Sequence, residues 1–104
     1  MSVDLVIDWP NAKSEVVPLS SYRGMSEYWK PVAEELGLEL MPHFSSFLPI
    51  YRENLDQVLN EVQVFRDEVV RRGPDYEEWL AAVDRLIEAL QRLKHSEGWE
   101  ASIG

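Results

Sequence analysis

Apolar and polar residues alternate near both ends of the chain, and this period of two predicts two half-buried strands. The N-terminal strand spans residues 2–9, and its apolar face consists of Val3, Leu5, Ile7 and Trp9. Asp4 and Asp8 lie on its second face, which we therefore expect to meet water. A closing strand over residues 99–103 places Trp99, Ala101 and Ile103 on one side. Pairing of these two strands would bring the chain termini together.

In the middle of the chain, apolar residues recur every seven positions, which is typical of a long helix with one buried seam. The seam consists of Leu48, Leu55, Val62 and Val69, with Tyr51, Val58 and Phe65 interleaved three positions later. We predict a helix over residues 47–72, capped by Ser46 and with Pro49 in its first turn. Charged residues, Glu61 among them, occupy positions outside the seam.

A second long helix is predicted over residues 76–95, where the apolar stripe consists of Trp79, Val83, Leu86, Leu90 and Leu93. Asp75 and Glu78 have the spacing of a capping box, with Asp75 as the N-cap. The connection Gly73-Pro74 is short, so the two long helices must be antiparallel neighbours. The sequence therefore predicts a helical hairpin.

A shorter helix is predicted over residues 27–36, followed by Gly37 in the position that ends many helices. Residues 38–41 alternate weakly and suggest one more strand, whereas residues 11–24 are predicted as a loop with a short extended piece at 15–19. We therefore expect an α+β fold in one domain, residues 1–104. The helical hairpin and the shorter helix pack on a small sheet of strands 2–9 and 99–103, with 38–41 as a candidate third strand.

The charge balance narrows the classes of partner. The chain has 19 acidic and 10 basic side chains and a formal net charge of −9. Nucleic acid and anionic membrane surfaces repel such a protein, so neither is an expected partner. A basic protein would be attracted, although a negative surface also serves solubility alone. The acidic N-terminus lacks the pattern of a signal peptide, and we expect a cytoplasmic protein.

No motif for catalysis, nucleotide binding or metal binding is present in the sequence. There is no cysteine, and His43 and His95 are the only imidazoles. His95 lies at the end of the last predicted helix, where a protonated ring suits the helix dipole. No cofactor, metal site or catalytic set is therefore predicted. An enzyme that uses His43 together with Asp4 or Asp8 is the weakest of our hypotheses.

Residues 42–51 form a stretch of ten residues without any Asp, Glu, Lys or Arg, in a chain of which 28% is charged. Such a loop either packs onto the core or is offered to a partner. We expect the second case, and the interface candidates are Trp29, His43, Phe44, Phe47 and Tyr51. The alternative is that both phenylalanines plug one end of the helical hairpin.

These observations favour a non-enzymatic domain that binds a protein partner, and a basic partner would fit the charge. Small acidic proteins that act as immunity proteins or antitoxins against basic toxin enzymes share this size and charge. A homodimeric structural module is the alternative, because Leu59, Leu80 and Ile87 widen the apolar stripes beyond what one hairpin and a small sheet require.

Overall fold

The computed structural model describes all 104 residues and shows an α+β fold, which confirms the predicted class. Four strands form one antiparallel sheet, and they are β1 (Ser2–Asp8), β2 (Glu15–Ser21), β3 (Leu48–Ile50) and β4 (Glu100–Ile103). Their order across the sheet is β2-β1-β4-β3. The chain termini meet as predicted, because β1 and β4 are neighbours at the centre of the sheet.

Three helical segments pack with the sheet. The first, α1 (22–35), has α-helical ends at Tyr22–Gly24 and Lys30–Glu35 and a π-helical middle at Met25–Trp29. The predicted hairpin is formed by α2 (Arg52–Arg72) and α3 (Glu77–Lys94), which are joined by a short turn at Pro74–Tyr76. None of the helices combines the length and apolar character that crossing a bilayer requires.

The core lies between the helical hairpin and one face of the sheet, which we call the inner face. β1 contributes Val3, Leu5 and Ile7, all at most 1% exposed, and the predicted seam residues Leu55 and Val62 are buried against them or their neighbours. An aromatic cluster closes the hairpin near its turn, where Trp29, Phe65 and Trp79 stack with ring centroids 5.1 to 6.2 Å apart. The helices therefore form one layer that covers the inner face of the sheet.

Residues 47–51 do not begin the long helix, so the predicted cap at Ser46 and the helical position of Pro49 are wrong. Leu48 and Ile50 instead alternate with Pro49 in β3, and both are buried. The helix begins at Arg52, where Asn54 accepts a hydrogen bond from Tyr51 N (2.7 Å) and donates one to Pro49 O (3.0 Å). Over so short a segment, the helical period that joins Leu48 to Tyr51 and the period of 2 that joins Leu48 to Ile50 fit almost equally well, which is why the pattern misled.

The predicted strand at residues 38–41 is also wrong, and the extended piece at 15–19 is longer than expected. The third and fourth strands are β2 and β3, whereas residues 38–40 form a bend and Met41–His43 a single turn of 3₁₀ helix. The amides of Leu40 and Met41 do not pair with a strand, because both donate to the carboxylate of Glu61 on α2 at 2.9 to 3.2 Å. Glu61 is only 4% exposed.

The first helix begins five residues earlier than predicted, at Tyr22, where Ser21 Oγ accepts a hydrogen bond from Gly24 N. Pro31 consequently lies inside the helical segment. It follows directly on the π-helical stretch, in which Lys30 N donates to Met25 O across five residues. The hydrogen-bond pattern changes at this point, and the helical segment therefore tolerates a residue without a backbone N–H. Gly37 has a φ of +74°, as expected of a glycine that ends a helix.

Asp75 does not cap α3, which is a further correction. It lies exposed in the turn Pro74–Tyr76, and no side-chain hydrogen bond caps the helix. The Gly73-Pro74 turn displaces the helix start to Glu77, so the D-x-x-E spacing is out of phase with the first turn.

We expect Asp75→Ala to change the free energy of unfolding by less than about 0.5 kcal/mol, the range of surface sites without a specific role. Asn54→Ala is the matched comparison, and it should cost about 1 kcal/mol because it removes a real cap. Urea unfolding of the two variants measures both values. A larger loss in Asp75→Ala than in Asn54→Ala would contradict the displaced helix start.

Candidate functional site

The structure separates the five expected interface residues into two groups. Trp29 is 3% and Phe44 0% exposed, so both belong to the core and neither is accessible to a partner. His43, Phe47 and Tyr51 are exposed, the last two at 57% each. The charge-free loop therefore contributes Phe44 to the core and leaves His43, Phe47 and Tyr51 exposed.

Phe47 and Tyr51 are exposed because β3 alternates its side chains. Leu48 and Ile50 point to the core, so Pro49 and the residues that flank the strand point the opposite way. Phe47 lies over the last residue of the chain, where its ring would be 3.1 Å from a Cβ atom at Gly104. A hydrophobic ridge, Phe47-Pro49-Tyr51, thus runs along the edge strand β3 on the side of the sheet that faces away from the helices.

The register places these residues in rows across the sheet's uncovered side, which we call the outer face. The middle row contains Val16, Val6, Ser102 and Pro49. One neighbouring row contains Pro18, Asp4 and Gly104 beside Phe47, and the other contains Asp8 and Glu100, with Tyr51 next in register. No helix covers these rows, and Val16 remains 56% exposed. An antiparallel sheet with one open face is common, but a row of apolar residues on that face is not.

Beside the ridge, β4 presents Glu100 and the small side chain of Ser102 to the outer face. Gly104, which follows β4, has no side chain. A shallow trough therefore runs along β4, with the ridge as one wall and the outer residues of β1 as the other. We call it the β4 trough. Part of it forms a cleft of about 570 Å³, and the residues lining this cleft include Asp8, Phe47, Pro49, Tyr51, Glu100 and Ser102.

The carboxylates of the outer face have no cationic partner. Asp4 accepts a hydrogen bond from Ser2 Oγ at 2.8 Å, and Asp8 accepts one from Ser14 Oγ, but neither forms an ion pair. Glu100 forms neither an ion pair nor a side-chain hydrogen bond. The one cation at the cleft, Arg52, donates to Lys94 O and lies 5.3 Å from the centroid of the Trp99 ring. The outer face is therefore apolar along the ridge and negative along β1.

Both edge strands of the sheet contain a residue that interrupts pairing with a further strand. The edge strands β2 and β3 each contain a proline, Pro18 and Pro49, which cannot donate a ladder hydrogen bond. The carbonyls of these prolines are already engaged, since Arg85 Nη2 donates to Pro18 O at 3.3 Å and Asn54 Nδ2 to Pro49 O at 3.0 Å. The outer face is therefore favoured over the edges of the sheet as the surface that a partner contacts.

A second and larger depression, of about 870 Å³, lies between α2 and α3 and is polar. At its rim Arg92 forms an ion pair with Glu15, and Trp9 Nε1 donates to the same carboxylate at 3.1 Å. The hydrogen bonds from Arg92, and next that from Trp9, outweigh the effect of burial and lower the pKa of Glu15 to about 2. This pair joins α3 to β2, so the role of Arg92 in the groove is structural.

Because the pKa of Glu15 in the folded protein lies below its ordinary value of 4.5, the carboxylate stabilises the fold above that pH. This contribution is lost as the pH falls toward about 2. We expect Glu15→Gln to melt at a lower temperature than the wild type at pH 7, and the difference to shrink between pH 4.5 and pH 3. Thermal unfolding at several pH values measures this, with Glu34→Gln as an exposed control. A difference that stays constant down to pH 3 would contradict the ion pair's role.

His43 lies exposed in the turn Met41–His43 and makes no side-chain hydrogen bond to any carboxylate. It lines neither of the two depressions described above. Asp4 and Asp8 bind serine hydroxyl groups instead. No group of three or more His, Asp or Glu side chains is close enough to hold a metal ion. The outer face is therefore the candidate site that the geometry supports.

Comparison of the chain with known protein families, with curated proteins and with solved structures found no match. The sequence predicts Phe47 and Tyr51 as interface residues, and it predicts Asp4 and Asp8 on a solvent-facing side of the first strand. It does not predict that these residues share one surface, because its pattern assigns β3, the strand that joins them, to the start of a helix.

Proposed function

We propose that this protein is a non-enzymatic, cytoplasmic interaction domain that binds a basic protein through the outer face of its sheet. The observation that carries the proposal is the combination on that face of an exposed apolar ridge, Phe47-Pro49-Tyr51, with carboxylates that lack any cation. Apolar anchors supply binding energy once water is excluded, and complementary charge speeds encounter and selects the partner. The net charge of −9 acts in the same direction.

The same features favour a basic partner over a second copy of this chain. A twofold dimer through the outer face would bring Asp4, Asp8 and Glu100 toward their own copies, and like charges oppose such contact. The apolar residues that suggest a dimer, moreover, are buried or partly buried within one chain. Leu59 is 7% exposed, while Leu80 and Ile87 are partly buried against the core. Neutralisation of a basic enzyme is the form of this function that we would test first.

Affinity capture from an extract of the source organism, with the immobilised protein as bait, tests the proposal. The captured protein is then identified, purified and titrated against the bait by calorimetry. We expect a basic protein whose binding weakens with salt, is lost in Phe47→Ser, and survives in Val70→Ser. Val70 is the matched control, since it is a similarly exposed apolar residue (51%) on α2.

Equal binding by Phe47→Ser and the wild type would refute the outer face as the site, and an acidic partner would refute the charge argument. Sedimentation at two concentrations examines the dimer directly. A concentration-dependent dimer that Phe47→Ser abolishes would replace the basic partner with self-association.

A further inference from the structure

The dimensions of the β4 trough limit what can occupy it. Neighbouring strands lie about 4.8 Å apart, so the walls on β1 and β3 are separated by about 10 Å at the backbone. Along the strands, the trough runs from Asp4 and Phe47 at one end to Asp8 and Tyr51 at the other. Asp4 and Asp8 are four positions apart on one wall, as are Phe47 and Tyr51 on the other, which corresponds to about 13 Å along a strand. The trough is therefore as wide as one row of large side chains and about two helical turns long.

Its two walls differ in chemistry. The wall on β3 is the ridge Phe47-Pro49-Tyr51, and the wall on β1 carries Asp4 and Asp8 on either side of Val6. Glu100, opposite Asp8 in the register, adds a third carboxylate on the floor. An occupant must therefore present an apolar side and a cationic side that run in parallel along one axis.

An extended segment meets that requirement poorly. Pro18 and Pro49 interrupt the two edges of the sheet, so a segment that paired with either edge strand would lose ladder hydrogen bonds. Laid across the face instead, its backbone N–H and C=O groups would be buried without partners, which is costly. A helix satisfies its own backbone and contacts a surface through side chains alone. Cations at positions i and i+8 of a helix lie about 12 Å apart, close to the separation of Asp4 and Asp8.

We propose that the β4 trough receives a basic amphipathic helix of the partner, an inference that rests on the proposed function. The apolar stripe of this helix lies on the ridge Phe47-Pro49-Tyr51. Its Lys or Arg side chains at i and i+8 extend toward β1, where one pairs with Asp4 and the other with Asp8 and the neighbouring Glu100. Their alkyl stems cover Val6 and Ser102.

Designed peptides test the mode of binding without knowledge of the natural partner. The first peptide, about 18 residues long so that it can fold as a helix, has a leucine stripe beside a stripe of lysine and arginine. The second has the same composition in scrambled order, and the third carries two central prolines. Calorimetry at about 0.15 M salt, where exposed charges are screened beyond about 8 Å, should show the first peptide binding at least about tenfold more tightly than the other two.

Variants of the protein locate the site. Asp8→Asn combined with Glu100→Gln should weaken binding of the first peptide about tenfold, as should Phe47→Ser. The control Glu34→Gln with Asp67→Asn removes two exposed carboxylates from the helices and should bind as the wild type does. Melting temperatures establish that each variant is folded.

The outcomes separate this inference from the proposed function. If all three peptides bind equally and Phe47→Ser weakens all of them, the outer face is a binding site for basic chains, but the helical occupant is refuted. If the first peptide binds equally well to Asp8→Asn/Glu100→Gln and to the wild type, the pairing with the β1 wall is refuted. Absence of binding by any peptide at millimolar concentration also refutes the helix, while the capture experiment still decides the function.

Discussion

Phe44→Ser is expected to lower the free energy of unfolding by about 3–5 kcal/mol, the range for deletion of a buried aromatic ring. Phe47→Ser, three residues further along, is expected to change it by less than about 1 kcal/mol. Phe44 is 0% exposed and belongs to the core cluster, whereas Phe47 is 57% exposed and rests on Gly104 with one edge of its ring. The same substitution in one loop thus separates a residue that holds the fold from a residue that is free to bind.

Urea unfolding gives both free energies, and titration with the basic helical peptide gives the complementary result. Phe47→Ser should lose peptide binding and keep its stability. Phe44→Ser should lose stability and, at a temperature where it is still folded, keep its affinity. Comparable destabilisation by both changes would place Phe47 in the core and remove it from the proposed interface.

The parts of the fold that the sequence predicts well are those with one period sustained over many residues. The stripe from Trp79 to Leu93 extends over four turns, and the alternation from Val3 to Ile7 has no competing helical interpretation. Over such lengths only one period fits, and burial of one face then determines the element. The α+β class, the hairpin and the central strand pair followed from these segments.

Residues 47–51 show where this reasoning fails. Leu48 and Tyr51 extend the helical seam backward, while Leu48 and Ile50 fit a strand, and five residues do not distinguish the two periods. The neighbouring strand decides, because Leu48, Pro49 and Ile50 pair with Ile103, Ser102 and Ala101. That pairing joins residues more than fifty positions apart. The candidate site depends on it, so its composition was visible in the sequence while its shape was not.

Trp29 illustrates the same limit for single side chains. Trp29 and Val32 have helical spacing, but Tyr28 fits the same pattern nearly as well, so this pattern alone does not assign the ring of Trp29 to the core. The ring is buried because Phe65 on α2 and Trp79 on α3 stack against it. A residue whose environment comes from two other helices cannot be assigned from its own helix.

Glu61 is the residue for which pattern and structure differ most, and its replacement has the second large expected effect. Its position outside the apolar seam suggested an ordinary surface charge. It is instead buried, and its carboxylate accepts hydrogen bonds from Leu40 N, Met41 N and Gln57 Nε2. The two amides begin a turn that lies twenty residues earlier in the chain, so Glu61 fastens the segment between α1 and β3 onto α2.

Glu61→Ala is expected to lower the free energy of unfolding by about 3 kcal/mol, because each buried amide left without an acceptor costs about 1–3 kcal/mol. Gln57→Ala is the matched control: it removes one donor to the same carboxylate from an exposed position and should cost less than about 1 kcal/mol. Glu61→Gln retains one acceptor oxygen and should fall between the two. Hydrogen exchange at Leu40 and Met41 reports on the same contacts, and it should accelerate in Glu61→Ala and remain slow in Gln57→Ala. If the two alanine variants were equally stable and their amides equally protected, the segment would be held by its apolar contacts, and Glu61 would have no part in fixing the loop that leads to Phe47.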